Sequence, residues 1–164
     1  MPNVGSGPAS VVVKNSLGTS AAFSATVAPF GPAFFAWPNN HAVATRQDFS
    51  LAAKNGTFAG TTTVPAKPGD TIILWGTGFG PTTPPALAGQ ETPSDTTYST
   101  STAPGVSINN LSATVYGAAL APGFAALYQI AIQVPTALTN GDWPIIATIG
   151  GVSSPTGMML TVQQ

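Results

Sequence analysis

His41 is the chain's single histidine, and the chain has no cysteine. Nucleophilic catalysis of the Ser-His-Asp kind needs that histidine beside a hydroxyl and oriented by a carboxylate. Asp48 is placed to face it across a short hairpin, yet no serine stands in a Gly-x-Ser-x-Gly elbow. A structural or surface role for His41 is the stronger reading. The acids are Asp48, Asp70, Glu91, Asp95 and Asp142. A glycosidase needs two facing carboxylates, and calcium needs several converging oxygens. Asp70, Asp95 and Asp142 each stand alone in turn sequence, and Asn140-Gly141-Asp142 reads as a turn former. Gly76-Thr77-Gly78-Phe79-Gly80 resembles a phosphate loop only superficially. Pro81 and Pro84 forbid the helix whose N-terminus would hold the anion. The expectation is therefore no enzyme, no catalytic residue, no cofactor and no metal.

Ligand contact has one candidate. Trp37, followed by Pro38-Asn39-Asn40, is an aromatic with no obvious core role. With Asn39, Asn40 and Tyr98 it makes a possible sugar-stacking group. Lys14 permits an isopeptide crosslink, but nothing in the spacing supports one. Asn55-Gly56-Thr57 and Asn110-Leu111-Ser112 match the glycosylation pattern.

These residues sit in an unusual composition. Only 5% of the 164 residues are charged, against about 25% in ordinary soluble domains. Lys14, Arg46, Lys54 and Lys67 do not cluster, so no nucleic-acid or anionic-lipid footprint is expected. The 43% hydrophobic content is enough for a core. No apolar run approaches the roughly 18 residues of a membrane span. Met1-Pro2-Asn3-Val4-Gly5 has neither the basic nor the apolar region of a signal peptide. A surface of Ser, Thr and Gly suggests an extracellular or cell-surface location.

The elements that must position these residues are short strands. Thr71–Trp75 follows the Pro68-Gly69-Asp70 turn as a β-branched and aromatic run, with Ile72, Leu74 and Trp75 as expected core residues. Gly76, Gly78 and Gly80 then leave room where a side chain would clash. In residues 127–134, Tyr128, Ile130, Ile132 and Val134 alternate with polar or small residues, so that face is expected to be buried. Further strands are expected at 10–14, 21–27, 106–108, 111–116, 144–149 and 158–162, and residues 118–124 as a loop. With 16 Pro and 18 Gly, few windows escape a helix breaker. Many short strands between frequent turns predict an all-β antiparallel sandwich. Residues 82–104, rich in Thr, Ser and Pro, read as a surface excursion or a partly ordered edge.

The chain also echoes itself. Val11–Ser20 followed by Phe23–Val27 parallels Ile145–Ser154 followed by Met158–Val162. Both read as strand, small-residue turn, Ser/Thr, strand. Either the chain starts with the final hairpin of one unit and ends with that of another, or the likeness is chance.

Four stretches together carry a family resemblance: Pro65–Pro81; Leu120–Phe124 with Leu127–Ile130; Gln133-Val134-Pro135; and Gly141–Pro144 leading to Gly150–Ser154. They resemble the C-terminal Ig-like domain of secreted acidobacterial proteins of the Solibacter type, and Pro68–Gly80 is similar to the first strand of IPT/TIG domains. The resemblance spans about residues 20–164 and is weak over 82–104. Asn109-Asn110 departs from the turn usual there. The resemblance implies an Ig-like β-sandwich, an extracellular bacterial setting, no carried-over catalytic residue, and core or near-core places for Trp75 and Trp143. The expected organisation is an N-terminal segment with a hairpin (1–32), a connecting region (33–66) and the Ig-like unit (67–164). The expected function is a non-catalytic structural or adhesion module. The alternatives are a filament subunit assembled by N-terminal strand exchange through residues 1–27, and a carbohydrate-binding module.

Overall fold

The computed structural model describes residues 5–164, and the chain is all-β. The strands are β1 (Gly7–Val11), β2 (Lys14–Asn15), β3 (Gly18–Thr19), β4 (Phe23–Val27), β5 (Ala33–Phe34), β6 (Ala36–Trp37), β7 (His41–Ala42), β8 (Ala44–Thr45) and β9 (Thr71–Thr77). They continue with β10 (Thr82–Thr83), β11 (Ser99–Thr100), β12 (Gly105–Ile108), β13 (Leu111–Leu120), β14 (Tyr128–Gln133), β15 (Gly141–Ile149), β16 (Val152–Ser153) and β17 (Met159–Val162). The sole helical element among the described residues is a 3-10 turn, Pro38–Asn40.

One continuous hydrogen-bonded path, β5-β9-β14-β13-β12-β15-β17-β7-β6, forms the body. It is nearly barrel-like, because the segment 33–45 reaches both of its ends: β5 and β8 pair with β9, while β7 pairs in parallel with β17. Two long strands turn the corners by changing partners along their length. β13 pairs with β12 through Leu111–Ala113 and with β14 from Thr114 onward, with a bulge between Val115 and Gly117. β15 pairs with β17 through Gly141–Pro144 and with β12 through Ile145–Thr148. A bulge supplies the extra twist such a corner requires.

Ile72 and Leu74 on β9, and Ile130, Ile132 and Val134 on and just after β14, are fully buried, with Tyr128 beside them. Residues that alternate along one strand share a face, and pairing β9 with β14 puts both apolar rows on the same side. Trp75 lies on the opposite face of β9, half-buried, where its Nε1–H donates to Thr45 Oγ1 at 2.9 Å. Trp143 packs against the core edge and donates its indole N–H to the Thr139 carbonyl at 2.8 Å.

The glycines after β9 make way for another piece of backbone. A Cβ on Gly76 would lie 2.5 Å from the Ala33 carbonyl oxygen, and one on Gly78 would overlap the Gly31 carbonyl. Gly31 N–H in turn donates to Gly78 C=O at 2.9 Å. The segment 29–33 thus crosses directly over the Gly76–Gly80 stretch, and the Phe30 ring sits over both Gly80 and Gly150.

Several expected boundaries move. The first hairpin strand runs over 7–11 rather than 10–14, since a run of three valines has no period of its own. β13 extends through Ala118–Leu120, expected as a loop, because Tyr128–Ile130 pairs with it there. The Asn109-Asn110 turn, despite its departure from the usual sequence, closes the β12–β13 hairpin with both residues at positive φ (50° and 62°). Asparagine tolerates that region better than most residues. The 82–104 excursion is a long arm in which β10 pairs with β11, and β11 with β13 at Ser99↔Ala119.

Candidate functional site

Residues 5–27 form a separate element. β1 pairs with β4 in full register from Gly7↔Val27 to Val11↔Phe23, and β2 with β3 closes the tip. These two small sheets share no strand with the body. The hairpin presents Val11, Val12, Val13, Leu17 and Phe23 to solvent, and Leu17 is 94% exposed. Lys14 is its only charge among the described residues, exposed in β2 opposite Thr19. A two-stranded ribbon is marginal in water on its own. Large apolar side chains left in solvent on a ribbon with a single charge are unusual for a soluble surface.

At the foot of the hairpin a groove of about 510 Å³ opens between Thr26–Gly31 and the 85–92 loop. Its lining is mostly apolar and includes Phe30, Leu87, Leu120 and Tyr128. The Tyr128 hydroxyl donates to the Gly80 carbonyl, and burial raises its pKa. Tyr128 packs on Phe79, with ring centroids 5.7 Å apart.

The one polar cluster that gathers His41 was not expected from the sequence. Thr161 Oγ1 donates to Asp142 at 2.6 Å and lies 3.2 Å from His41 Nδ1. Lys54 Nζ reaches the other Asp142 oxygen at 2.9 Å. The Thr161 bond first, then Lys54, holds the Asp142 carboxyl below its usual value. Thr161 is buried, and its hydroxyl has Asp142 and His41 as hydrogen-bond partners. The cluster welds β7, β15 and β17 together where the barrel-like path closes. Asp48 does not face His41. It accepts the Ser50 N–H at 2.9 Å in a local turn, and that hydrogen bonding lowers its pKa. A second network joins Arg46 to the carbonyls of Val64 and Pro65 and to Asp70 at 3.4 Å, pinning the 46–70 loop. The partners are 88 and 120 positions apart for Lys54–Asp142 and His41–Thr161, so no local sequence signal announces them.

Of the expected ligand group, Trp37, Asn39 and Asn40 lie on one turn. The two asparagines are exposed, at φ 62° and 59°. The Trp37 ring meets Phe58 edge-on, with centroids 5.4 Å apart. Tyr98 belongs elsewhere: it precedes β11, its hydroxyl donates to Asp95 at 3.2 Å, and it packs on the core beside β13. No contact joins Tyr98 to the Trp37 turn. Among the described residues, no three His, Cys, Asp or Glu side chains converge as metal ligands. No described helix is long and apolar enough to cross a membrane. Asn55 and Asn110 are both exposed. Comparison with protein-family models, curated proteins and solved structures finds no match.

Proposed function

We propose that this chain is a non-catalytic structural or adhesion module of a bacterial secreted or surface protein, and that it makes its protein contacts through the N-terminal hairpin. The observation that carries the reading is that hairpin: a ribbon outside the body's sheet, with its largest side chains in solvent. The interlocked body supports the structural half of the proposal. Its strands form a nearly barrel-like path, and Arg46–Asp70 and Lys54–Asp142 form internal ion pairs. The extracellular setting is supported by the scarcity of charge and by the resemblance to Ig-like domains of secreted proteins. The Ig-like sandwich class belongs to the same proposal.

Deleting residues 1–27 tests it. The body's melting temperature is expected to stay within about 2 °C, since no strand of the body loses a partner. Loss of cooperative unfolding would refute the reading, because the hairpin would then be part of the core. A second reading, a filament subunit, is favoured by the same exposed valines, which lack the charges that usually blunt a free edge. Light scattering across a concentration series reads it directly: mass rising in the full chain and constant in the deletion would support a filament.

A further inference from the structure

The N-terminal hairpin repeats the C-terminal one in its tip register and in a serine clasp below it, although its Ser16-Leu17 turn lacks the positive φ of Gly150-Gly151. At its tip, Lys14 pairs with Thr19 and Asn15 with Gly18; in the C-terminal hairpin, Thr148 pairs with Ser153 and Ile149 with Val152. Just below, Val13 N–H donates to Ser20 Oγ at 3.0 Å, and Ser20 N–H donates to Val13 C=O at 2.9 Å. The counterpart is Ala147 N–H to Ser154 Oγ at 3.0 Å, with Ser154 N–H to Ala147 C=O at 2.8 Å. Both hairpins separate these partners by seven residues. At the base, Gly7 faces Val27 as Gly141 faces Val162, and both glycines have φ beyond +120°. The return arm of the C-terminal hairpin has one residue more.

The body shows how such a hairpin is covered. There β15 adds to β12, β17 adds to β7, and Gln163 N–H donates to Ala66 C=O. Ile145, Ala147, Leu160 and Val162 are thereby buried. Val11 and Val13, the counterparts of Ile145 and Ala147, are about half to two-thirds exposed, at 47% and 64%, whereas Ala25 and Val27, the counterparts of Leu160 and Val162, are half-buried. A second copy of this chain offers no vacancy, since its own residues 141–162 already fill that place.

We infer that residues 5–27 are the terminal hairpin of a second all-β unit, one built like this body but without a terminal hairpin of its own. They dock on it as residues 141–162 dock here, Val11 and Val13 entering its core as Ile145 and Ala147 do. Uncharged apolar contact is the chemistry of the site, and sheet addition gives the register. The inference rests on the structural-module reading. One departure concerns the tip: Asn15 stands where the body has Ile149, and its side chain accepts the Leu17 N–H at 2.9 Å. That end of the hairpin stays wet.

The test places residues 28–140 directly before residues 5–164 of the chain, so that the hairpin follows a body lacking its own. A matched tandem carries residues 28–164 in front, with the place filled. Hydrogen exchange at the Val13 and Ser20 amides is read in both and in the chain alone. Protection is expected to rise at least about 100-fold in the first tandem only. A further tandem with Asn15→Ile restores the apolar residue at the tip. Absence of protection in both vacant tandems overturns the inference. So does equal protection in the filled tandem, or protection by dimerisation of the chain alone. The trailing body melts independently in every tandem, so an unchanged transition there leaves the module reading standing even where docking fails.

Discussion

Gly78 and Gly151 share nearly the same φ, +77° and +79°, yet have opposite surroundings. A Cβ on Gly151 would meet nothing within 4 Å, whereas one on Gly78 would overlap the Gly31 carbonyl. Alanine at either position incurs the left-handed penalty of about 1–2 kcal/mol. Both substitutions stiffen the unfolded chain equally, so that effect cancels. Gly78→Ala must also push the 29–33 crossing away, which costs about 1–3 kcal/mol more, as overpacking of a tight site does. The obstacle is backbone, held by the Gly31–Gly78 hydrogen bond, so no side-chain rotation relieves it. Urea unfolding at a common m-value reads the two variants. Gly78→Ala should be the less stable by about 1–3 kcal/mol, or roughly 2–12 °C in melting temperature for a chain of this size. Values equal within about 0.5 kcal/mol would refute the claim that these glycines exist to let the chain cross.

Asp142→Asn should lower stability at pH 7 by about 1 kcal/mol, the net worth of its hydrogen bonds. A carboxyl held below its free value of 3.8 contributes stability that is present above that value and lost as pH falls through its lower folded pKa. The gap between variant and parent in urea midpoint should therefore close below about pH 4, and a gap that persists at pH 2 would contradict the assignment. Trp37→Ala should cost about 1 kcal/mol through loss of the edge-on Phe58 contact. It should leave a glycan array unchanged, and a bound glycan lost in the variant would revive the sugar-binding reading. Ser154→Ala strips its acceptor from the buried Ala147 N–H and should cost about 1–3 kcal/mol, while Ser20→Ala exposes the Val13 N–H to water and should cost under about 0.5 kcal/mol. Urea unfolding of the full chain reads both, and equal costs would contradict the burial argument.

Much of the fold was legible because its signals are local. The alternation of Tyr128, Ile130, Ile132 and Val134 fixes which face of β14 is buried before any partner is known. Ile72 and Leu74 follow the same rule, but Trp75, adjacent to Leu74, has to point the other way. An aromatic in an apolar run is half-covered here by a separate segment carrying Thr45. The His41–Thr161–Asp142–Lys54 cluster was invisible because it depends on how β7, β15 and β17 meet. Asp48, nearer to His41 in sequence, spends its carboxylate on its own turn. The ligand group Trp37, Asn39, Asn40 and Tyr98 was assembled from residue type alone, and the fold divides it.

The two hairpins show where local information stops. The serine clasp and the register at the tip depend on neighbours within about twenty residues, and both hairpins share them. Burial depends on what lies across the sheet, and there the two part: Ala147 is fully buried and Val13 mostly exposed. An apolar face retained on an uncovered ribbon has no use within this body, whose own terminal hairpin is in place. Valines at positions 11–13 suit an extended strand, and Val11 faces Phe23 across the ribbon, but exposure of about half or more leaves much of their hydrophobic gain unrealised. On the docking inferred above, a second unit's surface removes them from solvent. The C-terminal hairpin supplies the shape of that surface: a strand edge like β12 on one side, and one like β7 on the other.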